Sequence, residues 1–190
     1  MDIREPRSLS LETRIDRSQS VAIAAPRSEH GRRAAERIGE ALKGSGVQAR
    51  CLVDPEPGAM AAADGPTFVV GNLADSRCVR ELYVRYLCAT DLWYPGPAGY
   101  EVRTLCDPLG LGSNLIAVGY SDAEGAAAAT EIILDRLDDP IPHLAELRPT
   151  RLPLTDGEAE QIRTKPLQAE AWQVANDYCG NRGYYHYLTG

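Results

Sequence analysis

The chain has 190 residues, enough for one domain of ordinary size or for one domain with part of another. Its 20 Lys and Arg residues against 27 Asp and Glu residues give a net charge of −7, which argues against a surface built to neutralise phosphates. No stretch approaches the ~18 consecutive apolar residues of a membrane-spanning helix. We therefore expect neither a nucleic acid nor a membrane as a partner.

Residues 1–20 are rich in charge and lack the apolar core of a secretory signal, so we expect a flexible N-terminus. The cysteines show neither CxxC spacing nor the spacing of metal ligands; they are Cys51, Cys78, Cys88, Cys106 and Cys179. We interpret them as small buried apolar residues in a reducing compartment, which favours the cytoplasm. Because the histidines are dispersed as well, we predict no metal and no cofactor.

The first part of the chain alternates strand and helix patterns. The apolar run Val21–Ala25 predicts a buried strand, and Ser28 or Glu29 then opens a helical pattern that ends at Gly44 and Gly46. Residues 47–53 predict a second strand and residues 67–70 a third, which breaks at Gly71 and Asn72. Asp75 or Ser76 is placed to cap the next helix. The predicted apolar stripe of that helix contains Val79, Leu82, Tyr83, Tyr86 and Leu87.

Two further strands, at residues 100–105 and 114–120, precede a helix that begins after Asp122 and ends near Leu137. Residues 21–140 therefore predict an α/β fold, with a sheet of about five strands and about three covering helices. The three prolines of residues 141–155 predict an extended linker. Residues 156–190 are helical in pattern and rich in aromatics, and we interpret them as the truncated start of a catalytic α/α domain.

The turns of the α/β region carry a resemblance. Gly71-Asn72 ends an apolar strand, Gly99-Tyr100 begins another, Val118-Gly119 ends the next, and Glu124-Gly125 leads into a helix rich in small residues. This pattern resembles the small α/β domain that precedes the catalytic domain in α-glucuronidases and β-hexosaminidases. In those families this domain is not catalytic, so the resemblance implies no catalytic residues in this chain.

The C-terminal residues 181–190, NRGYYHYLTG, carry a second resemblance. They are similar to helix-turn segments of the α/α-toroid domains in heparinase II/III-like polysaccharide lyases. Together the two resemblances imply the non-catalytic N-terminal domain of a polysaccharide-degrading enzyme, a lyase or a glycoside hydrolase. Its partners would be the catalytic domain of the same polypeptide and an acidic polysaccharide.

Two groups of residues are candidates for contact with a glycan. Trp93 and Tyr94 lie in a Pro-rich loop, where an exposed aromatic ring can stack on a sugar face. In the tail, aromatic and polar side chains have the chemistry of a subsite for a uronic acid; these are Asn181, Arg182, Tyr185 and His186. The alternatives are structural: Trp93 as a loop anchor or domain contact, and the tail as helix packing with a polar turn.

Other functions stay open at this stage. The chain also fits a free-standing α/β interaction module, whose amphipathic C-terminal segment docks a partner helix. A further possibility is a small-molecule enzyme with its site at Gly71 and Asn72, since ligands collect at the carboxyl ends of strands in open α/β sheets. Capping of the following helix explains the same residues without a ligand.

Overall fold

The computed structural model describes residues 12–62, 65–110 and 112–150. In chain order its elements are strand β1 (Glu12–Thr13), β2 (Ser20–Ala25), helix α1 (Glu29–Gly44), β3 (Gln48–Val53), a short 3-10 helix (Pro57–Ala62), β4 (Thr67–Gly71), α2 (Arg77–Val84), β5 (Tyr100–Leu105), β6 (Leu115–Tyr120), α3 (Ala123–Asp135), β7 (Ile141–Pro142) and β8 (Glu146–Arg148). None of the helices in these ranges is long and apolar enough to cross a membrane.

The main sheet has six strands in the order β3-β2-β4-β6-β5-β8, which confirms the predicted α/β fold with one strand more than expected. Strands β3, β2, β4 and β6 run parallel, whereas β5 runs antiparallel to both of its neighbours, β6 and β8. From β2 the chain passes through α1 to β3 on one side and then returns to β4 on the other side. The carboxyl ends of β2 and β4 therefore flank the point at which the strand order reverses.

Helices cover both faces of the sheet. Helices α1 and α3 pack together on one face, where Arg37 of α1 and Glu131 of α3 form an ion pair with 2.8 Å between Nη1 and Oε1. The larger core lies beneath these two helices; its most buried members include Ile23, Ile38, Phe68, Ile116 and Ile133. The smaller core lies between α2 and the opposite face, around Val69, Val79, Leu82 and Leu115. Burial on both faces explains why the central strands are almost continuously apolar.

The predicted helix starts are confirmed by their caps. Ser28 Oγ accepts from the N–H of Gly31 at α1, and Ser76 Oγ accepts from the N–H of Val79 at α2. Asp122 Oδ1 accepts from the N–H of Gly125 at α3, with 2.8 Å between the atoms. Short polar side chains at these positions satisfy N–H groups that have no partner within the helix.

The predicted core position of Tyr86 is wrong. Helix α2 ends at Val84, and Tyr86 adopts a left-handed backbone conformation with φ of 60°, which takes it out of the helical stripe. Its side chain is consequently 78% exposed, whereas Val79 and Leu82 of the same stripe are buried.

Residues 141–150, predicted as part of an extended linker, carry two short strands. Strand β7 pairs with β1, and β8 adds to the main sheet beside β5. Residues 12 and 13, predicted as part of a flexible N-terminus, form β1, and Thr13 is buried. Strand pairing between distant parts of the chain overrides the high proline content of this region.

The cysteines divide between core and surface. The predicted burial is confirmed for Cys78 and Cys88, and burial raises the pKa of the Cys78 thiol to about 12. It is wrong for Cys51, which is exposed on the edge strand β3, and Cys106 is half-buried. Cys179 lies outside the described residues.

Candidate functional site

A polar cluster lies at the carboxyl ends of the parallel strands. Ser28 follows β2, Asp75 follows β4, and Tyr120 is the last residue of β6. The Ser28 hydroxyl donates to Asp75 Oδ2 over 2.5 Å, and the Tyr120 hydroxyl donates to the same oxygen over 2.9 Å. The two hydroxyl oxygens are 3.3 Å apart. Parallel strands that end at one edge bring together residues far apart in sequence, and this edge is where open α/β sheets bind ligands.

Local structure holds each member of the cluster in place. The second carboxylate oxygen of Asp75, Oδ1, accepts from the N–H of Asn72 over 2.8 Å, which fixes the turn after β4. Tyr120 is fully buried, and this burial, followed by the nearby Asp75 carboxylate, raises the pKa of its hydroxyl above the ordinary value. Tyr120 is therefore a neutral hydrogen-bond donor in the folded protein.

The geometry of this cluster is that of a structural network. In a serine nucleophile site a histidine lies between the serine and the carboxylate and takes up the proton. Here Ser28 bonds Asp75 directly, while the ring of His30 contacts the ring of Tyr120 edge-on, with 5.3 Å between centroids. The Asp75 carboxylate accepts three hydrogen bonds from the chain itself, so its contacts join β2, β4 and β6 at this edge.

A second charged group follows the edge strand β3. Asp54 Oδ2 lies 2.5 Å from Arg27 Nε and 3.2 Å from Arg77 Nε, and its Oδ1 accepts from the N–H of Arg77. Burial raises the pKa of Asp54, but the Arg77 N–H and the two guanidinium groups outweigh it, so the pKa lies below its ordinary value of 3.8. Arg77 also pairs with Glu56. Each charged side chain of this group has an opposite charge beside it.

We expect Asp54→Asn to lower the free energy of unfolding at neutral pH, because Asn lacks the charge that attracts both guanidinium groups. Since the native pKa of Asp54 is lowered, its contribution is complete well above pH 3.8 and declines as the pH falls through the native pKa. The difference in urea midpoint between the native chain and the variant should therefore shrink below pH 3.8. Asp138→Asn, at an exposed pair with Arg17, is the control and should shift the midpoint little. A difference that is constant with pH would contradict this role of the carboxylate charge.

The loop with Trp93 and Tyr94 is held by hydrogen bonds at its base. Asp91 Oδ1 accepts from the N–H groups of both residues, over 2.6 Å for Trp93 and 2.8 Å for Tyr94. Further along the loop, the N–H of Gly96 donates to Ser121 Oγ and the N–H of Ala98 donates to Asp122 Oδ2. Because residues 121 and 122 directly follow β6, the loop lies at the same edge of the sheet as the polar cluster.

The chain leaves the described domain on this loop. The N–H of Thr150 donates to the carbonyl oxygen of Pro95 over 2.7 Å, and its hydroxyl donates to that of Pro97 over 2.6 Å. The Trp93 side chain is 51% exposed and Tyr94 is half-buried. The last described residue is therefore bonded to the loop that carries Trp93.

A buried ion pair lies on the face of the sheet covered by α2. Glu101 Oε1 is 2.7 Å from Arg103 Nε, and Arg103 Nη1 donates to the Leu87 carbonyl oxygen. Burial raises the pKa of the Glu101 carboxyl. Arg103 and His143 act in the opposite direction but have the smaller effect, so the pKa lies above its ordinary value. This pair ties β5 to the chain segment between α2 and the Trp93 loop.

An open groove of about 550 Å³ lies beside β2 and β3, with Ala22, Lys43, Arg50 and Leu52 among its lining residues. It also borders Ser20 and Gln48, the first residues of these strands, and so lies away from the carboxyl edge. Within the described ranges, His, Cys, Asp and Glu side chains form no group of three that could hold a metal ion.

The predicted site residues fall into two sets. Trp93 and Tyr94 lie in the anchored loop, whereas Asn181, Arg182, Tyr185 and His186 lie outside the described residues. The polar cluster was not predicted as a unit, since Ser28 was expected at the start of one helix and Asp75, separately, in the turn before the next. Ser28 and Ser76 are caps, but Asp75 instead connects strand ends. The signal in the sequence was a polar residue after each of several apolar strands.

Comparison with known proteins gives no identification. No protein-family model matches the sequence, and no curated protein matches it significantly. A functional assignment therefore depends on the geometry of the described domain and on the resemblance of its turns.

Proposed function

We propose that this chain is the non-catalytic N-terminal part of a polysaccharide-degrading enzyme, and that its α/β domain braces the catalytic domain of the same polypeptide. The observation that carries this proposal is the attachment of Thr150 to Pro95 and Pro97, which places the last described residue on the Trp93 loop. A bracing domain needs a defined exit and a rigid surface beside it. The N–H groups of the loop donate hydrogen bonds to Asp91, Ser121 and Asp122, and these bonds hold the loop in place.

The non-catalytic role is supported by the hydrogen bonding of the carboxyl edge. The carboxylates of Asp75 and Asp54 there accept hydrogen bonds from the chain's own donors, and Asp54 is also paired with guanidinium groups. A general base needs a proton acceptor facing substrate, with a pKa near the working pH. A lowered pKa, as for Asp54, makes a poor base.

The class of enzyme is proposed on the resemblance of the turns, and two glycines of these turns pack against the segment of residues 90–99. Gly125, in the first turn of α3, is so near Gly99 that a Cβ would overlap the Gly99 carbonyl oxygen. A Cβ on Gly119, near the end of β6, would overlap the Thr90 side chain. These glycines allow the loop containing Trp93 to pack directly on the sheet and on α3.

An alternative role for the same loop, which requires Trp93 to stay uncovered, is contact with a sugar. The half-exposed ring of Trp93, on a backbone held by Asp91, has the properties of a platform for a sugar ring. The alternative function, a free-standing α/β interaction module, rests on the same exposed side chains. It differs in requiring a separate protein as the occupant of this surface.

Calorimetric titration of the 190-residue chain with oligosaccharides from uronic-acid polysaccharides tests the function. We expect binding without cleavage, followed as the absence of new reducing ends and of unsaturated uronate. Arg182→Ala should weaken binding about tenfold, because a guanidinium is the group that pairs with a uronate carboxylate.

The matched control is Arg37→Ala, which removes the same charge from helix α1, where Arg37 pairs with Glu131. It should leave the affinity unchanged. Cleavage by this chain would overturn the non-catalytic role. Failure to bind any uronate oligosaccharide, or equal loss in both variants, would overturn the assignment to polysaccharides and favour the interaction module.

A further inference from the structure

Large apolar side chains stay exposed between residues 84 and 93. The exposed fraction is 53% for Val84, 78% for Tyr86, 58% for Leu92 and 51% for Trp93. We refer to these four residues as the loop surface. Single apolar side chains are normal on a protein surface, whereas larger apolar patches mark places where another surface packs. These four lie within ten residues of sequence, at the end of α2 and in the loop that follows it.

A side-chain contact joins the two segments that carry the loop surface. The Tyr83 hydroxyl, on the last turn of α2, donates to Asp91 Oδ2 over 3.4 Å. The other oxygen of Asp91 accepts from the N–H groups of Trp93 and Tyr94, so one carboxylate connects the helix end with the aromatic loop. The loop surface is therefore presented by a braced part of the fold.

The described part of the chain ends on the loop that carries Trp93. Thr150 is bonded to Pro95 and Pro97, within a few residues of Trp93. Residues 151–155 span at most about 18 Å when fully extended, at roughly 3.3–3.6 Å per residue. A tether this short gives the next segment an effective concentration of about millimolar, which favours it over a separate molecule of equal intrinsic affinity.

The C-terminal segment supplies apolar side chains to cover the loop surface. Residues 156–190 contain Ile162, Leu167, Trp172 and Val174 among charged residues. We propose that this segment of the chain itself docks on the loop surface and covers Trp93. This inference rests on the proposed bracing function and names the surface through which the α/β domain holds the C-terminal segment.

Tryptophan fluorescence of the full chain tests the docking, because Trp93 and Trp172 are its two tryptophans. In the Trp172→Phe variant, Trp93 is the only tryptophan, so the tryptophan fluorescence reports on its surroundings alone. We expect its emission to be blue-shifted and its quenching by acrylamide to be several-fold weaker than that of free N-acetyltryptophanamide. Adding Ile162→Asp and Leu167→Asp should shift the emission to the red and raise quenching at least twofold, because charge at apolar positions opposes docking.

The matched control adds Gln161→Asp and Gln168→Asp, which introduce the same charge at neighbouring polar positions and should leave quenching unchanged. Quenching as strong as that of the free compound in the parent variant would overturn the docking. So would protection that depends on protein concentration, which means a second copy, or protection that arises only with added uronate oligosaccharide. The fluorescence measurements on these variants contain no glycan, so they test the docking separately from the proposed function. If Trp93 is protected in a chain that binds no oligosaccharide, the proposed function is overturned and the docking stands.

Discussion

We expect Gly31→Ala to lower the free energy of unfolding by about 2–3 kcal/mol, measured by urea denaturation, because the first turn of α1 has no room for a methyl group. A Cβ on Gly31 would lie 2.9 Å from Ser28 Oγ and closer still to the Tyr120 hydroxyl and to Pro26. These neighbours belong to the buried end of the sheet and to the polar cluster. The substitution forces either the helix or Tyr120 to move.

The matched control lies at the other end of the same helix. Gly44 is the last residue of α1, and a Cβ there would meet nothing within 4 Å. Gly44→Ala should be neutral or should stabilise the protein by up to about 1 kcal/mol, because alanine favours the helix. Equal destabilisation by the two substitutions would mean that the close packing around Gly31 does not hold in solution.

Asp75→Ala should lower the free energy of unfolding by about 3 kcal/mol, because buried donors are left unsatisfied. It leaves the buried hydroxyl of Tyr120 without its acceptor and removes the acceptor of Ser28 and of the Asn72 N–H. Removing the charged acceptor Asp75 should lower the free energy of unfolding more than removing a neutral donor does. Tyr120→Phe removes one donor and leaves Asp75 with its other hydrogen bonds. We therefore expect it to lower the free energy of unfolding by about 1 kcal/mol.

The double variant separates a network from independent contacts. If Tyr120 acts through Asp75, Tyr120→Phe should lower the free energy of unfolding clearly less in the Asp75→Ala background than in the native chain. The difference between the two backgrounds, which is the coupling energy, should be about 1 kcal/mol. Additive effects would show that the Tyr120 hydroxyl is satisfied elsewhere. Unchanged uronate binding in Asp75→Ala, measured where the variant is folded, is the further result expected of a structural cluster.

Local rules predicted strands β2 to β6 and helices α1 to α3, but not the short strands β1, β7 and β8. The strand at Val21–Ala25 is apolar because both of its faces are buried, and the caps Ser28 and Asp122 follow from the need to satisfy free N–H groups. The helical period failed at Tyr86, because periodicity carries no information on where a short helix ends. There the left-handed φ terminates the pattern and exposes the ring.

Composition and spacing were enough to predict the class of fold, the starts of the helices and the aromatic residues of the loop and tail. Packing of the whole domain was needed to bring Ser28, Asp75 and Tyr120 into hydrogen-bond contact, to add β8 to the sheet and to attach Thr150 to the Trp93 loop. The difference lies in distance along the chain. Spacing specifies contacts within a few residues, whereas these contacts join residues tens of positions apart through the order in which the strands pair.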